Sequence, residues 1–415
     1  MPEKEYKIVN FNEKADIYLI NTCTITQEAD RKSKQMIRKA SHQNQYAQII
    51  VTGCYAQSNY PDLENIKGIS LLTGNNREDI DFQLLTHLDF NQKIIKINPV
   101  KEIKQYQNYG KRKINFHTRT WIKVQDGCNN FCTYCKVPYV RGRQRSRLPK
   151  DIQKEISELN NERSKEVVLL GINLGSYGKD LDGGKTNLLH LISLISDFTN
   201  IQRIRLSSIE LIHLDEEFFK AFQKFPKLCH HLHIPLQSGD DKILKLMNRP
   251  YNSSAFYDKI QKIRKYCPDI TITSDIMVGF PQEDEDSFNN SYSFIQKLGL
   301  AKIHVFPYSD RKECLSNLLI PKVDPYIKRV RVNRLLALSR SLYYNFNRNN
   351  LGLKMDILIE KESKEGSRER YSEGLSSNYL KVKVPGLTGK IGKIVPVQIT
   401  EAFPNYCLAK LLPKK

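Results

Sequence analysis

Apolar residues in the first quarter of this chain come in short runs separated by helix-like stretches. We predict buried strands for DIYLINTC, AQIIVTGCYAQ and ISLLTGNN. Between the first two runs, EADRKSKQMIRKASHQ predicts a helix that sets apolar Met36 and Ile37 among basic residues. Strands that alternate with helices predict a parallel sheet, in which working residues lie at the carboxyl ends of the strands.

The middle of the chain repeats this alternation six times. Helical stretches such as LPKDIQKEISELNNE separate apolar runs, which are TWIKVQDG, EVVLLGINLG, IQRIRLSSIE, HLHIPLQSG, ITITSDIMVGFP and AKIHVFPYS. Six such units predict a closed or nearly closed parallel barrel, a (βα)6 partial TIM barrel, with its chemistry at the carboxyl face.

The last region changes character. KMDILIEK, YSEGLSSNYLKVKVP and IVPVQITEAFPNYCLAKLL are strand-like runs with Gly and Asn between them, which predicts a small β-barrel. The fold class is therefore α/β with three predicted domains at residues 1–105, 117–341 and 345–415. A basic linker, VKEIKQYQNYGKRKINF, joins the first two.

Composition narrows the location and the partner. No apolar run reaches the length of a membrane helix, and the opening residues PEKEYK show no signal core, so we expect a cytoplasmic protein with no membrane partner. There the nine cysteines would be reduced, serving as buried apolar residues or metal ligands. A net charge of +20 indicates a polyanionic partner such as nucleic acid, although a chain rich in Lys, Asn and Ile is also typical of AT-rich genomes.

Three of these cysteines lie within CNNFCTYC, at Cys128, Cys132 and Cys135. Cys132 and Cys135 are spaced to share one side of a helical turn. Three thiolates leave one position of a metal centre open, and in a [4Fe–4S] cluster a small molecule could bind there and be reduced. A zinc site and a chance group of buried cysteines are the alternatives.

This C-x3-C-x2-C spacing after the first barrel strand resembles the radical S-adenosylmethionine (radical SAM) enzymes, and Tyr134 matches their usual aromatic residue before the last cysteine. The resemblance implies that SAM binds the open iron and is cleaved by one electron to a 5′-deoxyadenosyl radical. It also implies an electron donor such as flavodoxin or ferredoxin.

Further motifs resemble the methylthiotransferases of the MtaB type, which act on tRNA threonylcarbamoyladenosine. They are NTCTIT, VTGCYAQ, GINLGSYG, SSIE, HIPLQSG and DIMVGFP, in that order. The resemblance covers nearly the whole chain, including a TRAM-like C-terminal barrel. It implies transfer of a methylthio group to C2 of N6-threonylcarbamoyladenosine at position 37 in a tRNA anticodon stem-loop, with two SAM molecules used for each product.

That family also carries a second [4Fe–4S] cluster held by three cysteines. Cys23 and Cys54 match two of them, whereas no cysteine precedes Cys23. We therefore expect a misplaced start or a truncation, and a second cluster that binds weakly or fails to form. Replacement of the missing ligand by Cys314 is a less favoured alternative. The chain also departs from the family where Gln282-Glu283-Asp284 replaces Gly-Glu-Thr and Lys312-Glu313-Cys314 replaces Pro-Gly-Thr.

Polar residues at the predicted strand ends are candidates for SAM and substrate contacts. They are Gly171, Asn173, Ser207, Ser208, Glu210, Gln237, Ser238 and Asp275. Polar groups at this face of a barrel are typical of catalysis, although ordinary strand-to-loop turns would place the same residue types there. The run RGRQRSR places four arginines near the predicted barrel mouth, as candidates for phosphate contact rather than a solvated surface: Arg141, Arg143, Arg145 and Arg147.

Two other functions fit the same residues. One is methylthio transfer to isopentenyladenosine or to an aspartate of a ribosomal protein. The other is an RNA-binding relic with one cluster and no methylthio transfer, which the two-cysteine N-terminal site keeps open.

Overall fold

The computed structural model describes residues 7–75, 93–108, 118–159, 164–198, 200–363 and 370–413. These residues form two compact units. Unit 1 comprises Met1–Gly110, Gly127–Arg143 and Ser309–Leu318, and unit 2 the rest of the chain. Part of the predicted linker, residues 109–116, lies outside the described residues. Among the helices described, none combines the length and the apolar character that crossing a membrane requires.

Unit 1 is built on a four-stranded parallel sheet in the order β1-β2-β3-β4. Its elements are β1 (Ile17–Thr22), α1 (Gln27–Gln43), β2 (Gln48–Gly53), α2 (Cys54–Asn59), α3 (Pro61–Glu64), β3 (Ile69–Thr73) and β4 (Ile94–Lys96). The Thr26 hydroxyl caps α1 by accepting the Ala29 N–H. Of the two predicted apolar positions on α1, Ile37 is buried in the core and Met36 is exposed. The predicted parallel sheet is confirmed.

Two further segments complete unit 1. We call residues 127–143 the cysteine loop; it contains α4 (Val137–Arg141). We call residues 309–318 the 309–318 turn; it ends in a short 3₁₀ helix, Leu315–Leu318. Another 3₁₀ helix, Val100–Glu102, belongs to the same unit.

Unit 2 contains six parallel strands alternating with helices. The strands are β5 (Arg119–Lys123), β8 (Glu166–Leu170), β9 (Arg203–Leu206), β10 (His231–His233), β11 (Thr271–Val278) and β12 (Lys302–Pro307). The helices are α5 (Pro149–Ser157), α6 (Leu188–Ser196), α7 (Glu216–Lys224), α8 (Asp241–Leu246), α9 (Ser253–Tyr266), α10 (Glu285–Leu298) and α11 (Pro325–Asn349). A short hairpin joins β6 (Gln125–Asp126) to β7 (Arg145–Ser146), and 3₁₀ helices occupy Leu174–Ser176, Asp182–Gly184 and Leu211–His213.

Strand pairing gives the partial barrel that the sequence predicts. One sheet has the order β5-β8-β9 and another β10-β11-β12, and the parallel bridges Ile204↔Leu228 and Ser208↔His233 join them. Within the described part of the chain, no pairing closes β12 onto β5. Six helices begin after an Asn or Asp side chain that accepts an N–H of the first turn: Asn187, Asp215, Asp240, Asn252, Asp284 and Asp324.

The C-terminal part of unit 2 is a closed five-stranded barrel in the order β13-β14-β15-β17-β16. Its strands are β13 (Lys354–Glu362), β14 (Tyr371–Ser376), β15 (Lys381–Pro385), β16 (Ile394–Ala402) and β17 (Cys407–Leu411). Alternating side chains such as Ile357, Ile359, Val395 and Val397 fill its core. The predicted small β-barrel is confirmed.

A buried ionic network attaches this small barrel to the six-stranded one. Arg205 on β9 is paired with Glu166 on β8, 2.6 Å apart, and its guanidinium also donates to the carbonyl oxygens of Ser376 and Ser377. The Tyr379 ring stacks on His231, with centroids 4.4 Å apart, and lies 5.0 Å from the Arg205 guanidinium carbon. Buried charges persist where every partner is supplied, so the network fixes one orientation of the two barrels within unit 2.

We predict that Glu166→Ala destabilises unit 2 by about 3–5 kcal/mol, because the variant leaves the Arg205 charge buried without its carboxylate. Thermal unfolding and hydrogen exchange of residues 354–411 measure this effect. Glu216→Ala removes an exposed pair with Lys220 and serves as the control, with no measurable change expected. Equal unfolding of both variants would contradict the assignment.

Candidate metal centre

The cysteine loop presents its three thiols from a compact turn. Cys128, Cys132 and Cys135 are half-buried and form no disulfide. The Cys128 N–H donates to the Gly142 carbonyl, which closes the base of the loop, and the Cys135 N–H donates to the Cys132 carbonyl. Gly127 has a φ of +70°, and a Cβ there would lie 2.0 Å from the Arg143 carbonyl oxygen. The close approach of the two loop ends therefore requires glycine at this position.

The donor set of the loop fits an iron–sulfur cluster. Three free thiols lie on one turn, and the Asn130 N–H donates to the Cys128 sulfur over 3.4 Å. Hydrogen bonds to ligand sulfur atoms are a normal feature of such clusters. Burial raises the pKa of the Cys135 thiol to about 12, so a metal must displace its proton for the thiolate to form. Tyr134 is half-buried between the second and third cysteines.

Cys23 and Cys54 lie side by side at the edge of the parallel sheet. They directly follow Thr22 and Gly53, which are register partners at the ends of β1 and β2. Gly53 has a φ of +102°, and a Cβ there would lie 2.3 Å from the Thr22 carbonyl oxygen. Glycine therefore lets the two strand ends approach. Cys23 is exposed and Cys54 is buried.

The cysteine loop contacts this sheet edge within unit 1. Asn75 follows β3, and its side-chain oxygen lies 3.6 Å from the Cys54 sulfur. The side-chain nitrogen of the same Asn75 donates to the Val140 carbonyl of α4 over 2.5 Å. One asparagine thus connects the Cys54 strand end to the loop that carries Cys128, Cys132 and Cys135.

Cys314 belongs to this neighbourhood as well. It is buried in the 309–318 turn, and the Ser316 N–H of that turn donates to the Thr133 carbonyl over 2.9 Å. The turn therefore lies against the segment between Cys132 and Cys135. That a two-ligand site at Cys23 and Cys54 holds a cluster only weakly stays a prediction.

Within unit 2, four of the predicted contact residues lie at the ends of β8 and β9. The Gly171 N–H donates to the Ser207 hydroxyl over 3.4 Å. The Asn173 N–H donates to the side-chain oxygen of Gln125, and Asn173 is buried. Ser208 bridges to His233 on the next strand.

The other predicted contact residues have definite protein partners. Glu210 forms an ion pair with Arg249, whose guanidinium is almost fully buried. The Ser238 hydroxyl lies 3.0 Å from that of Ser291. Gln237 has a φ of +69° and donates its N–H to the Asp275 carbonyl. That Glu210, Gln237 and Ser238 contact SAM or substrate stays a prediction.

The predicted contact residue Asp275 lies in a polar trio on the inner wall of the six-stranded barrel, together with His233 and His304, to which sequence reasoning gave no binding role. Asp275 on β11 is the register partner of His304 on β12, and its carboxylate lies 3.1 Å from Nε2 of His233 on β10. The His233 and His304 ring centroids are 5.6 Å apart. Partial desolvation lowers the pKa of His304, which favours its neutral imidazole. The only signal in the sequence was the alternation of these polar residues with the core residues Leu232, Ile276 and Ile303.

The four predicted RNA-binding arginines divide into two pairs. Arg145 and Arg147 are buried and lie against the carboxylates of Asp126 and Glu155. Their guanidinium groups are engaged within unit 2. Arg143 is exposed, with its guanidinium carbon 4.5 Å from the Phe131 ring, and Arg141 is half-buried. Arg141 and Arg143 are thus the pair with accessible surface.

One departure from the family pattern, Gln282-Glu283-Asp284, has a local explanation. Gln282 adopts a φ of +67°, a left-handed conformation that glycine adopts with less strain. Asp284 caps α10 by accepting the Ser287 N–H, as a threonine can. The replacement of Gly-Glu-Thr therefore keeps the helix start and adds backbone strain before it.

Three family sequence patterns match the chain. The radical SAM superfamily matches residues 122–295, the TRAM domain matches residues 348–412, and the uncharacterized protein family UPF0004 matches residues 1–74. The threonylcarbamoyladenosine tRNA methylthiotransferase MtaB of Bacillus subtilis (strain 168) is 37% identical over 406 residues, which cover 97% of this chain and 90% of that protein. The chain belongs to the MtaB-type radical SAM methylthiotransferases.

Two further relatives of this MtaB-type chain are named as tRNA-modifying enzymes of the MtaB type and of the dimethylallyladenosine type. The MtaB protein of Aquifex aeolicus (strain VF5) is 34% identical over 96% of this chain and 94% of its own length. The tRNA-2-methylthio-N(6)-dimethylallyladenosine synthase of Thermoanaerobacter sp. (strain X514) is 35% identical over 95% of this chain and 84% of its own length.

A solved structure supports the fold alone. The radical S-adenosylmethionine methyltransferase TsrM from Kitasatospora setae, with cobalamin and a [4Fe–4S] cluster bound, gives a TM-score of 0.51 at 13% identity. The match covers 71% of this chain and 64% of TsrM. The match to the radical SAM superfamily and the MtaB relatives, not the TsrM structure, show that this chain is a radical SAM enzyme with SAM and [4Fe–4S] as its cofactors.

We predict that replacing Cys128, Cys132 and Cys135 together with Ala lowers the iron content after anaerobic reconstitution by about four atoms per chain, the content of one [4Fe–4S] cluster. The same variant should form no 5′-deoxyadenosine from SAM with dithionite. Cys407→Ala, which removes a buried core thiol of the small barrel, should retain both. Unchanged iron or 5′-deoxyadenosine in the triple variant would show that the loop is not the site.

Proposed function

We propose that the protein adds a methylthio group to C2 of N6-threonylcarbamoyladenosine at position 37 of tRNA. The two MtaB relatives that support this substrate carry threonylcarbamoyladenosine in their names and match nearly the whole chain. The motifs NTCTIT and VTGCYAQ, which end β1 and β2, favour the same type.

The observation that carries the proposal is the arrangement of unit 1. Sulfur transfer with two clusters requires the two groups of ligand cysteines to lie near one another. Asn75 contacts both the Cys54 thiol and the α4 backbone of the cysteine loop. The fold of unit 1 alone therefore brings the two groups into one neighbourhood.

The clusters and SAM, when bound, supply the electron and the reactive carbon centre, and the protein supplies binding and orientation. In unit 2, the backbone at Gly171 and Asn173 offers polar groups at adjacent strand ends for SAM. The polar trio of His233, Asp275 and His304 gives the inner wall hydrogen-bonding groups for a nucleobase. An adenosine must leave the anticodon-loop stack to reach such a wall.

RNA binding is supported by charge and by aromatic groups on the small barrel. The Lys383 ammonium lies 4.4 Å from the Tyr371 ring centroid and 4.2 Å from that of Tyr406. The Phe403 and Tyr406 rings stack with centroids 5.0 Å apart. Paired lysine and aromatic side chains are typical of surfaces that bind single-stranded RNA, where bases stack and phosphates are neutralised. We infer that this surface contacts the anticodon stem-loop.

A second candidate substrate is the dimethylallyl-modified adenosine named for the Thermoanaerobacter relative, since that relative is 35% identical over 405 residues. The two substrates differ in their N6 group. The threonyl carboxylate is charged, whereas the dimethylallyl group is apolar, so the two require different pockets.

Nucleoside mass spectrometry of tRNA tests the substrate. In a host that lacks its own enzyme, expression of the chain should produce a low level of the 2-methylthio form of N6-threonylcarbamoyladenosine, because the second cluster is predicted to bind only weakly at Cys23 and Cys54. Cys54→Ala should abolish the product, because the variant removes a predicted ligand of the second cluster, and Cys407→Ala should not. Product on dimethylallyladenosine alone would favour the second candidate, and no product on either would contradict both.

We predict that Lys383→Met weakens RNA binding and lowers the slope of log affinity against log salt by about one unit, the loss of one phosphate contact. Fluorescence anisotropy with an anticodon stem-loop at several salt concentrations measures the slope. Lys220→Met, which changes an exposed lysine paired with Glu216 on α7, is the matched control. If both variants shift the slope equally, binding depends on overall charge and not on this surface.

A further inference from the structure

The most deeply buried lysine around the cysteine loop is Lys136, the residue directly after Cys135. Only 4% of its side chain is exposed. A buried ammonium group is costly unless polar partners replace its water. Lys136 has three such partners: its Nζ lies 3.0 Å from a carboxylate oxygen of Glu313, 3.0 Å from the side-chain oxygen of Asn59 and 3.5 Å from the Thr24 hydroxyl.

Two of the three partners are neighbours of a cysteine in the sequence, and the third ends a helix that begins with a cysteine. Thr24 directly follows Cys23. Asn59 is the last residue of α2, the helix that begins with Cys54. Glu313 directly precedes Cys314 in the 309–318 turn. From its place beside the third loop cysteine, one ammonium group therefore contacts the residue after Cys23, the last residue of the helix that begins at Cys54, and the 309–318 turn.

A second buried cation holds the same strand end. Only 6% of the Arg311 side chain is exposed, and its guanidinium pairs with Asp30 of α1 at 2.6 Å and donates to the Thr24 carbonyl over 2.8 Å. Thr24 is thus contacted at its hydroxyl by Lys136 and at its carbonyl by Arg311. The Gln27 N–H adds a bond to the Ser309 hydroxyl, 3.0 Å away.

We propose that Lys136 is a positioning residue that couples the two cysteine sites: its ammonium holds the Cys23 and Cys54 segments against the cysteine loop, with Arg311 fixing the same strand end. The inference rests on the proposed function, in which both cysteine sites serve one transfer. It adds that methylthio transfer depends on a charged side chain that is not a metal ligand.

The positive charge of Lys136 should affect the reduction potential of a cluster bound at the loop, which an uncharged side chain of the same size would not do. Net charge and hydrogen bonds near the ligand sulfur atoms set the reduction potential of an iron–sulfur cluster. Lys136→Met leaves the Glu313 carboxylate without its partner beside Cys135, so the potential should fall. Glu313→Gln leaves the ammonium without its carboxylate, so the potential should rise. The double variant should lie between the two.

The first experiment uses the full-length apoprotein and hydrogen exchange. In Lys136→Met, amides of residues 24–30 should exchange about tenfold faster, because a charge-assisted hydrogen bond that limits local opening is lost. Lys136→Arg should restore most of the protection. Lys93→Met is the matched control, since Lys93 belongs to the same unit and donates to the Ile66 carbonyl over 3.1 Å. Wild-type exchange in Lys136→Met would overturn the proposal.

The second experiment uses the reconstituted enzyme, with the potential followed by electron paramagnetic resonance. Opposite shifts for Lys136→Met and Glu313→Gln support the proposal, whereas equal or absent shifts overturn it. With dithionite, Lys136→Met should retain most 5′-deoxyadenosine formation and lose about tenfold or more of its methylthio product, as expected when a positioning contact fails. Loss of both activities in proportion would show a general folding defect and overturn the coupling role.

These measurements separate the inference from the proposed substrate. Exchange and potential require no RNA, so they test Lys136 even if the wild-type enzyme modifies a different nucleoside. Absence of any methylthio product from the wild type would contradict the proposed function, while the exchange and potential results would still decide the role of Lys136.

Discussion

Desolvation of a single ammonium group, that of Lys136, is the constraint on which the arrangement of the cysteine loop depends. The buried residues of α4 are few, Pro138 and Val140, so apolar packing gives the loop little anchorage. A buried charge demands specific partners at specific distances, and those of Lys136 come from three segments of unit 1. The loop is therefore located by polar contacts, which define one geometry more sharply than apolar packing does.

Parallel strand topology brings together the second group of cysteines, Cys23 and Cys54. Residues at the carboxyl ends of adjacent parallel strands are neighbours, which is why Cys23 and Cys54 lie together although 31 positions separate them. The same rule groups Gly171 with Ser207 in unit 2. Glycines with positive φ, such as Gly53 and Gly127, allow the close backbone approaches that place cysteines directly after them.

Several charged residues in this protein are buried and paired within the fold. Arg145, Arg147 and Arg205 are buried against carboxylates, and Arg249 is buried against Glu210. The count of 65 Lys and Arg residues therefore overstates the number of cations that a phosphate backbone could reach. The exposed lysine and arginine side chains, and the aromatic neighbours of Lys383, describe the proposed RNA surface more specifically than the count of basic residues does.

The sequence by itself determined the elements, the order of the three β-containing regions and the identity of the loop cysteines. These features depend on local patterns: alternation of apolar runs with helical stretches, glycine before the cysteines, and the C-x3-C-x2-C spacing. Only the tertiary structure decided which polar residues are buried and with whom. It paired Asp275 with His233, buried Arg145 and Arg147, and brought Glu313 to Lys136 from a position 177 residues away in the chain. The contacts of Asp275 and Lys136 join segments distant in sequence, and their energies depend on mutual desolvation, which no single segment encodes.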